Sequence, residues 1–320
     1  MMKTSKLLLV VLLAGSFGVA DAGEIEGNSS NTDFVRADKS DALPFGGGAP
    51  GLRFSTDGGK SYSNSINLEN GPVTRIRNKY GNRPINGNNP DLNVIGTSNP
   101  HYLTIKDVAP VLGWFYNPKL GQVWLEKRAH GTEVFSVRQM AEPKLPLAPK
   151  FGGLVIAKVP NLPAGTSVYF GEWAPRERTP GANSDDFLRN AKNRTTWYVG
   201  ENPTKNTAGL ADATYNLVGV SGHTPGLNDF YTGSVRAVFG TDKTGSLSGS
   251  INRREQTFNG VKITADSLNF DGAQIRNDKG TFSGGAGNVS GQFYGPGAEA
   301  LAGYGTSEKG NGVAFGGRKQ

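Results

Sequence analysis

The chain has 320 residues and no cysteine. That excludes disulfide staples, thiolate zinc sites and iron–sulfur clusters. It also removes the cysteine on which a bacterial lipid anchor is built. Histidine is scarce, with three copies at His101, His130 and His223, so nucleophile–histidine pairs have few places to form. A Gly-x-Ser-x-Gly elbow, a P-loop and a His-Glu-x-x-His helix are all missing, which argues against an enzyme. There is no run of Lys and Arg and no aromatic–basic RNA motif, which argues against nucleic acid as a partner. No apolar stretch reaches the ~20 residues that a membrane-spanning helix requires, so no stable membrane anchor is expected.

What is present begins with an export signal. Lys3 and Lys6 form a positive start, residues 7–13 are an unbroken apolar run, and Ala20-Asp21-Ala22 is a small-residue cleavage site. That order predicts a secretory signal peptide over residues 1–22, a mature start at Gly23 and a secreted, extracellular protein. An exported chain of this length without disulfides points to a bacterial source. The formal charge is +7. The signal accounts for +1 and residues 206–320, with ten basic and nine acidic side chains, for another +1. The remaining +5 lies in residues 23–205, where an anionic ligand or partner is plausible.

The 46 glycines punctuate alternating apolar residues and do not replace them, which predicts β-structure with tight turns. Residues 23–59 read as an irregular arm and 82–100 as a loop,. Residues 111–116, with Trp114, Phe115 and Tyr116, read as a strand, 117–121 as a turn and 122–127 as the returning strand,. Further strands are expected at 132–138, 153–159, 167–173 and 195–199. A proline-rich connector lies at 142–149, a short helix at 184–192 and an interdomain linker at 201–210,. From residue 213 onward nine short strand candidates follow one another. Inside several of them, as in Val235, Ala237 and Phe239, apolar residues alternate. Period two with closely spaced turns means a sandwich or barrel, and an up-and-down barrel removes the unpaired edges.

His101 and His130 flank one aromatic stretch containing Trp114, Phe115, Tyr116, Trp124 and Phe135. Neutral imidazole can ligate a haem iron on either face. This suggests a haem b site with His130 and His101 as axial ligands. Tyr102, Trp114 and Trp124 would form its walls, and Arg128 would meet a propionate. The competing reading is that each histidine is an ordinary turn or surface residue and that the aromatics are core. His223, beside Pro225 in a barrel loop, reads as structural.

The barrel segment carries three motifs. Residues 213–219 read Ala-Thr-Tyr-Asn-Leu-Val-Gly, residues 291–303 run from Gly-Gln-Phe-Tyr-Gly through Ala298-Glu299-Ala300 to Gly303, and residues 312–320 close on Arg318-Lys319-Gln320. Together they resemble the C-terminal barrel of transferrin-binding-protein-type surface proteins. Tyr169-Phe170-Gly171-Glu172-Trp173 and Thr196-Trp197-Tyr198-Val199-Gly200 resemble the handle strands of the hemophilin family, secreted haem-binding proteins of Gram-negative bacteria. The resemblance is good over residues 168–320 and loose over 23–149. It implies an N-terminal β-rich, handle-like ligand-binding domain (23–205) followed by an eight-stranded antiparallel barrel (206–320). It further implies export through an outer-membrane Slam-type translocon and delivery of haem to a TonB-dependent receptor. On this basis the chain reads as a hemophore that binds haem without catalysis for iron acquisition, with host haemoglobin as a further expected partner. The alternatives are a surface adaptor that binds a host protein of the haemoglobin or transferrin type, or a colonisation factor, neither with a haem site of its own.

Overall fold

A computed structural model describes residues 23–85, 101–139, 152–175, 193–258 and 260–320. The expected signal peptide, the 142–149 connector and the 184–192 helix lie outside the described residues. The chain is mainly β and forms two lobes.

The N-terminal lobe is built on a seven-stranded antiparallel meander. Its strands are β1 (Ile25–Ser29), β5 (Tyr102–Thr104), β6 (Lys119–Lys127), β7 (Glu133–Gln139), β8 (Gly153–Lys158), β9 (Val168–Ala174) and β10 (Thr195–Glu201). They lie in the order β1-β10-β9-β8-β7-β6-β5. Three further strands, β2 (Val35–Lys39), β3 (Pro50–Phe54) and β4 (Ile66–Asn67), pair with one another, and α1 (Thr74–Tyr80) follows them. This second layer covers one face of the meander. Val35, Leu52, Phe54 and Ile76 pack there against Val123, Leu125, Phe135, Ile156, Trp173 and Trp197. The expectation of an irregular arm over residues 23–59 is corrected by β1–β3. Val35 and Ala37 in β2 and Leu52 and Phe54 in β3 do alternate inward, but this period-two signal is only two residues long in each strand and is set among charged and glycine residues.

The C-terminal lobe is a closed ring. Its strands are β11 (Ala213–Val220), β12 (Tyr231–Val238), β13 (Thr244–Arg253), β17 (Ala273–Arg276), β18 (Thr281–Gly284), β19 (Val289–Tyr294), β20 (Ala300–Thr306) and β21 (Gly312–Lys319). Each pairs antiparallel with its neighbours, and β11 pairs with both β12 and β21. The long β13 pairs along one half with β17 and along the other with β16 (Asp266–Asn269). A small hairpin of β14 (Gln256–Phe258) and β15 (Val261–Ile263) stands outside the ring. The interior is packed solid by Tyr215, Val235, Phe239, Ile251, Phe270, Phe282, Phe293 and Phe315, as an eight-stranded ring of this width requires.

The two lobes share a third core. Trp124, Val134, Val155, Phe170 and Tyr198 from the second face of the meander bury against Val218, Val220, Phe230, Tyr294, Ala300, Ala302 and Ala314 of the barrel's outer wall. Each large side chain fully buried there contributes ~1.5–3 kcal/mol of transfer free energy.

Candidate functional site

The expected aromatic strand over residues 111–116 is corrected by the structure. Tyr102–Thr104 takes the place beside β6, and the apolar residues form a projecting tip. Its construction is local. Thr104 caps a single turn, α2 (Ile105–Val108), with a reciprocal capping box to Asp107. The Asp107 carboxylate accepts from the Thr104 N–H at 2.6 Å, the Thr104 hydroxyl at 2.9 Å and Lys79 Nζ at 2.6 Å. Burial opposes charge on Asp107, but these donors and the Lys79 charge outweigh it and hold its carboxyl below the ordinary value,. A second turn, α3 (Pro110–Gly113), opens with proline, whose fixed φ suits the first helical position,. In and after this turn Val111, Trp114, Phe115 and Tyr116 are exposed.

The return is pinned as well. Asn117 Oδ1 accepts from the Lys106 N–H at 2.8 Å, and the Pro118 carbonyl from the Ile105 N–H at 3.2 Å. Gly113 crosses so near Lys106 that a Cβ on it would fall 2.3 Å from the Lys106 Cα. On this base Trp114 is 85 % exposed, Phe115 83 % and Val111 59 %. The two rings meet edge to face with centroids 6.3 Å apart, a favoured aromatic geometry. Exposed Lys106 and Lys119 sit at the base, with Lys119 Nζ 4.1 Å from the Tyr102 ring centroid.

The residues expected to hold haem do not converge. His101 is half-buried where the chain enters β5, its carbonyl accepting from the Val123 N–H at 2.9 Å. Its ring stands edge-on to Tyr80 at 4.7 Å, and its Nδ1 is buried with no hydrogen-bond partner among the described residues. Tyr102 is tied on both sides to the Tyr80 hydroxyl. His130 is exposed in the turn after β6, with φ 58°. Four strand steps, about 13 Å, separate Val123 from Lys127, and His130 lies beyond that. The axial pair His101 and His130 is therefore not assembled. Trp124 faces the barrel and is fully buried in the interlobe core, on the face opposite Val123 and Leu125. Arg128 is committed to Glu126, the Leu227 carbonyl and the Phe230 ring. Of the expected site residues, Trp114 lies on the exposed tip, and His101 and Tyr102 lie at the sheet edge beside β6.

Sequence reading also missed a buried charged cluster around His223. The ring lies between Glu126 of the N-terminal lobe and Asp229 of the barrel loop. Among the described residues no group of three or more His, Asp or Glu side chains is arranged to hold a metal ion.

No family model matches the chain. Among solved structures it is similar to transferrin binding protein B of Actinobacillus pleuropneumoniae H49, at 16 % identity and TM-score 0.31, over 63 % of this chain and 100 % of that one. It is similar to transferrin binding protein B of Haemophilus parasuis Hp5, at 17 % identity and TM-score 0.31, over 62 % of this chain and 39 % of that one. It is also similar to the N-lobe of lactoferrin binding protein B of Moraxella bovis, at 13 % identity and TM-score 0.31, over 74 % of this chain and 91 % of that one. At these TM-scores the similarities carry no argument, and the mainly β architecture with its closed eight-stranded barrel rests on the strand pairing itself.

Proposed function

We propose that this chain is a non-catalytic binding protein of the bacterial surface or surroundings that captures a host iron- or haem-carrying protein by seating Trp114 and Phe115 in it. The observation that carries this reading is the exposed aromatic tip on its hydrogen-bonded base. Exposed aromatic rings on a hydrogen-bonded base lose little freedom on binding, and Trp and Tyr are the side chains on which interface energy concentrates. The resemblance of the barrel motifs to transferrin-binding-type proteins supports the class of partner. Passage through a Slam-type translocon and hand-over to a TonB-dependent receptor belong to the same proposal. The test is binding of the immobilised protein to transferrin, lactoferrin and haemoglobin. At least one should bind, and the Trp114→Ala/Phe115→Ala double variant should lose about 100-fold or more in affinity, as two central aromatic anchors imply. If none of the three binds, or the double variant binds as tightly as the parent, the proposal is wrong.

A second reading, haem held by a single histidine, is favoured by one observation: the Nδ1 of His101 has no partner among the described residues. His130, Trp124 and Arg128 have no part in it. Haem titration followed by absorption spectroscopy tests it. His101→Ala should abolish the Soret shift and His130→Ala should leave it intact.

A further inference from the structure

The loop between β11 and β12, residues 221–230, leaves the barrel and enters the N-terminal lobe. His223 at its root is completely buried. Its Nδ1 lies 2.5 Å from Asp229 Oδ1 and its Nε2 2.8 Å from Glu126 Oε2. A neutral imidazole has one N–H and one lone pair, whereas an imidazolium has two donors. With both carboxyls ionised, a carboxylate oxygen against each nitrogen is satisfied only by the doubly protonated ring,.

The surroundings are closed on every side. The Gly222 and His223 backbone N–H groups donate to Glu172 of β9 at 2.8 and 2.7 Å. Glu172 also meets Arg194 at 3.2 Å. The Thr224 N–H donates to Asp229 at 3.0 Å and the Gly226 N–H to Glu126 at 3.3 Å. Arg128 contacts Glu126, and its guanidinium lies over the Phe230 ring at 4.4 Å. Phe230 in turn covers the imidazole, with centroids 4.5 Å apart. The charged groups facing the ring from each packed element are thus Glu126 and Arg128 beside β6, Glu172 and Arg194 beside β9, and Asp229 in the loop itself.

We propose that this loop is a proton-held bolt: the His223 imidazolium ties Glu126 of one lobe to Asp229 of the other and tightens the orientation that the shared apolar core sets, so that removing the proton loosens that orientation while each lobe stays folded. A lone pair turned on a buried carboxylate at this range is repelled, and water is not present to screen it. Burial by itself disfavours the charged ring, but Asp229 and Glu126 overcome it and push the His223 pKa up to about 9. Because this value is raised, the bolt's stabilisation is complete below the ordinary value of 6.5 and is lost as the pH climbs through about 9,.

Two measurements on the full chain test the bolt. Imidazole nitrogen NMR should show both ring N–H groups of His223 at pH 7, with titration near 9. Since the chain has no cysteine, Lys39→Cys and Ser248→Cys, both at exposed positions, can carry spin labels that report the interlobe distance. A single narrow distribution is expected at pH 7.5. It should broaden by pH 10 with the β-type circular dichroism unchanged, and His223→Gln should be broad already at pH 7.5. Glu126→Gln keeps the Asp229 contact and guards against a His223 variant that does not fold. It should lower the midpoint of His223 by about one unit or more, the usual effect of removing an adjacent opposite charge. Titration near 6.5, an unchanged distance distribution across the titration, or both lobes unfolding together as the proton leaves would each overturn the proposal.

Discussion

Gly200 of β10 lies flat beneath the ring of Tyr294 of β19, so close that a Cβ on the glycine would fall 2.6 Å from the ring. The arrangement is reciprocal across the lobe boundary. Gly316 of β21 lies beneath Phe170 of β9, with a Cβ at 2.5 Å from that ring. Both rings are fully buried, so neither can step aside.

Gly200→Ala and Gly316→Ala should therefore each destabilise the protein by about 1–3 kcal/mol, the usual cost of overpacking a closed core. Chemical denaturation measures it. The same change at Gly312, where a Cβ would meet only ordinary contacts with Thr196, the nearest at 3.7 Å, is the control, since like Gly200 and Gly316 it has no left-handed φ. If Gly200→Ala and the control cost the same, ring contact is not the cause.

Trp114→Ala and Phe115→Ala should shift unfolding by no more than about 0.5 kcal/mol, because side chains this exposed contribute little to the fold. A large loss of stability in either variant would mean that the tip is structural and that its loss of binding says nothing about recognition.

Glu69 couples the second layer to the meander. Burial works against its charge, but hydrogen bonds from Lys158 and Tyr169 and the charges of Lys158 and Arg77 outweigh burial and hold its carboxyl below the ordinary 4.5. A lowered value contributes stability that is present above 4.5 and lost as pH falls through the folded value. Glu69→Gln should thus cost about 1 kcal/mol at pH 7, a figure discounted because the side chain is partly solvated,. The gap from the parent should close as the pH drops below about 4.5. Thermal unfolding at pH 7 and pH 3 decides it; an equal gap at both would reject the ionic account.

An isolated 206–320 fragment should keep the ring, since its core is self-contained. It would also expose Val218, Val220, Tyr294, Ala300, Ala302 and Ala314, which the other lobe normally covers. A cooperative β-type melt together with concentration-dependent self-association is expected. A fragment that stays monomeric at high concentration would show that this wall does not need its partner.

The barrel was legible because its inward residues alternate with polar ones. Val235, Ala237 and Phe239 point inward as their spacing implied. β17 escaped notice because Ala-Gln-Ile-Arg is short and shows only two apolar residues. The 111–116 run was misread for the opposite reason. Its residues are as apolar as a buried strand, and nothing in periodicity separates an apolar run that is buried from one that is displayed. The His223 cluster could not be read locally at all. Glu126 is 97 residues away and Glu172 is 51, and only the fold brings the one to the ring and the other to its backbone N–H. Trp124 looked like a pocket wall because the sequence does not reveal which face of β6 meets the other lobe.

The pairing of β11 with β21 sets the order of events in the barrel's assembly. Tyr215 aligns with Lys319, so the seam joins strands about a hundred residues apart, a slow, non-local contact. Until β21 arrives, β11 and β20 both present open edges. Any threading of this chain through a narrow pore has to precede that seam, because a shut ring with a solid interior cannot be unrolled strand by strand. Closure therefore works as a ratchet, and the side of a barrier on which the final strand docks is the side on which the barrel stays.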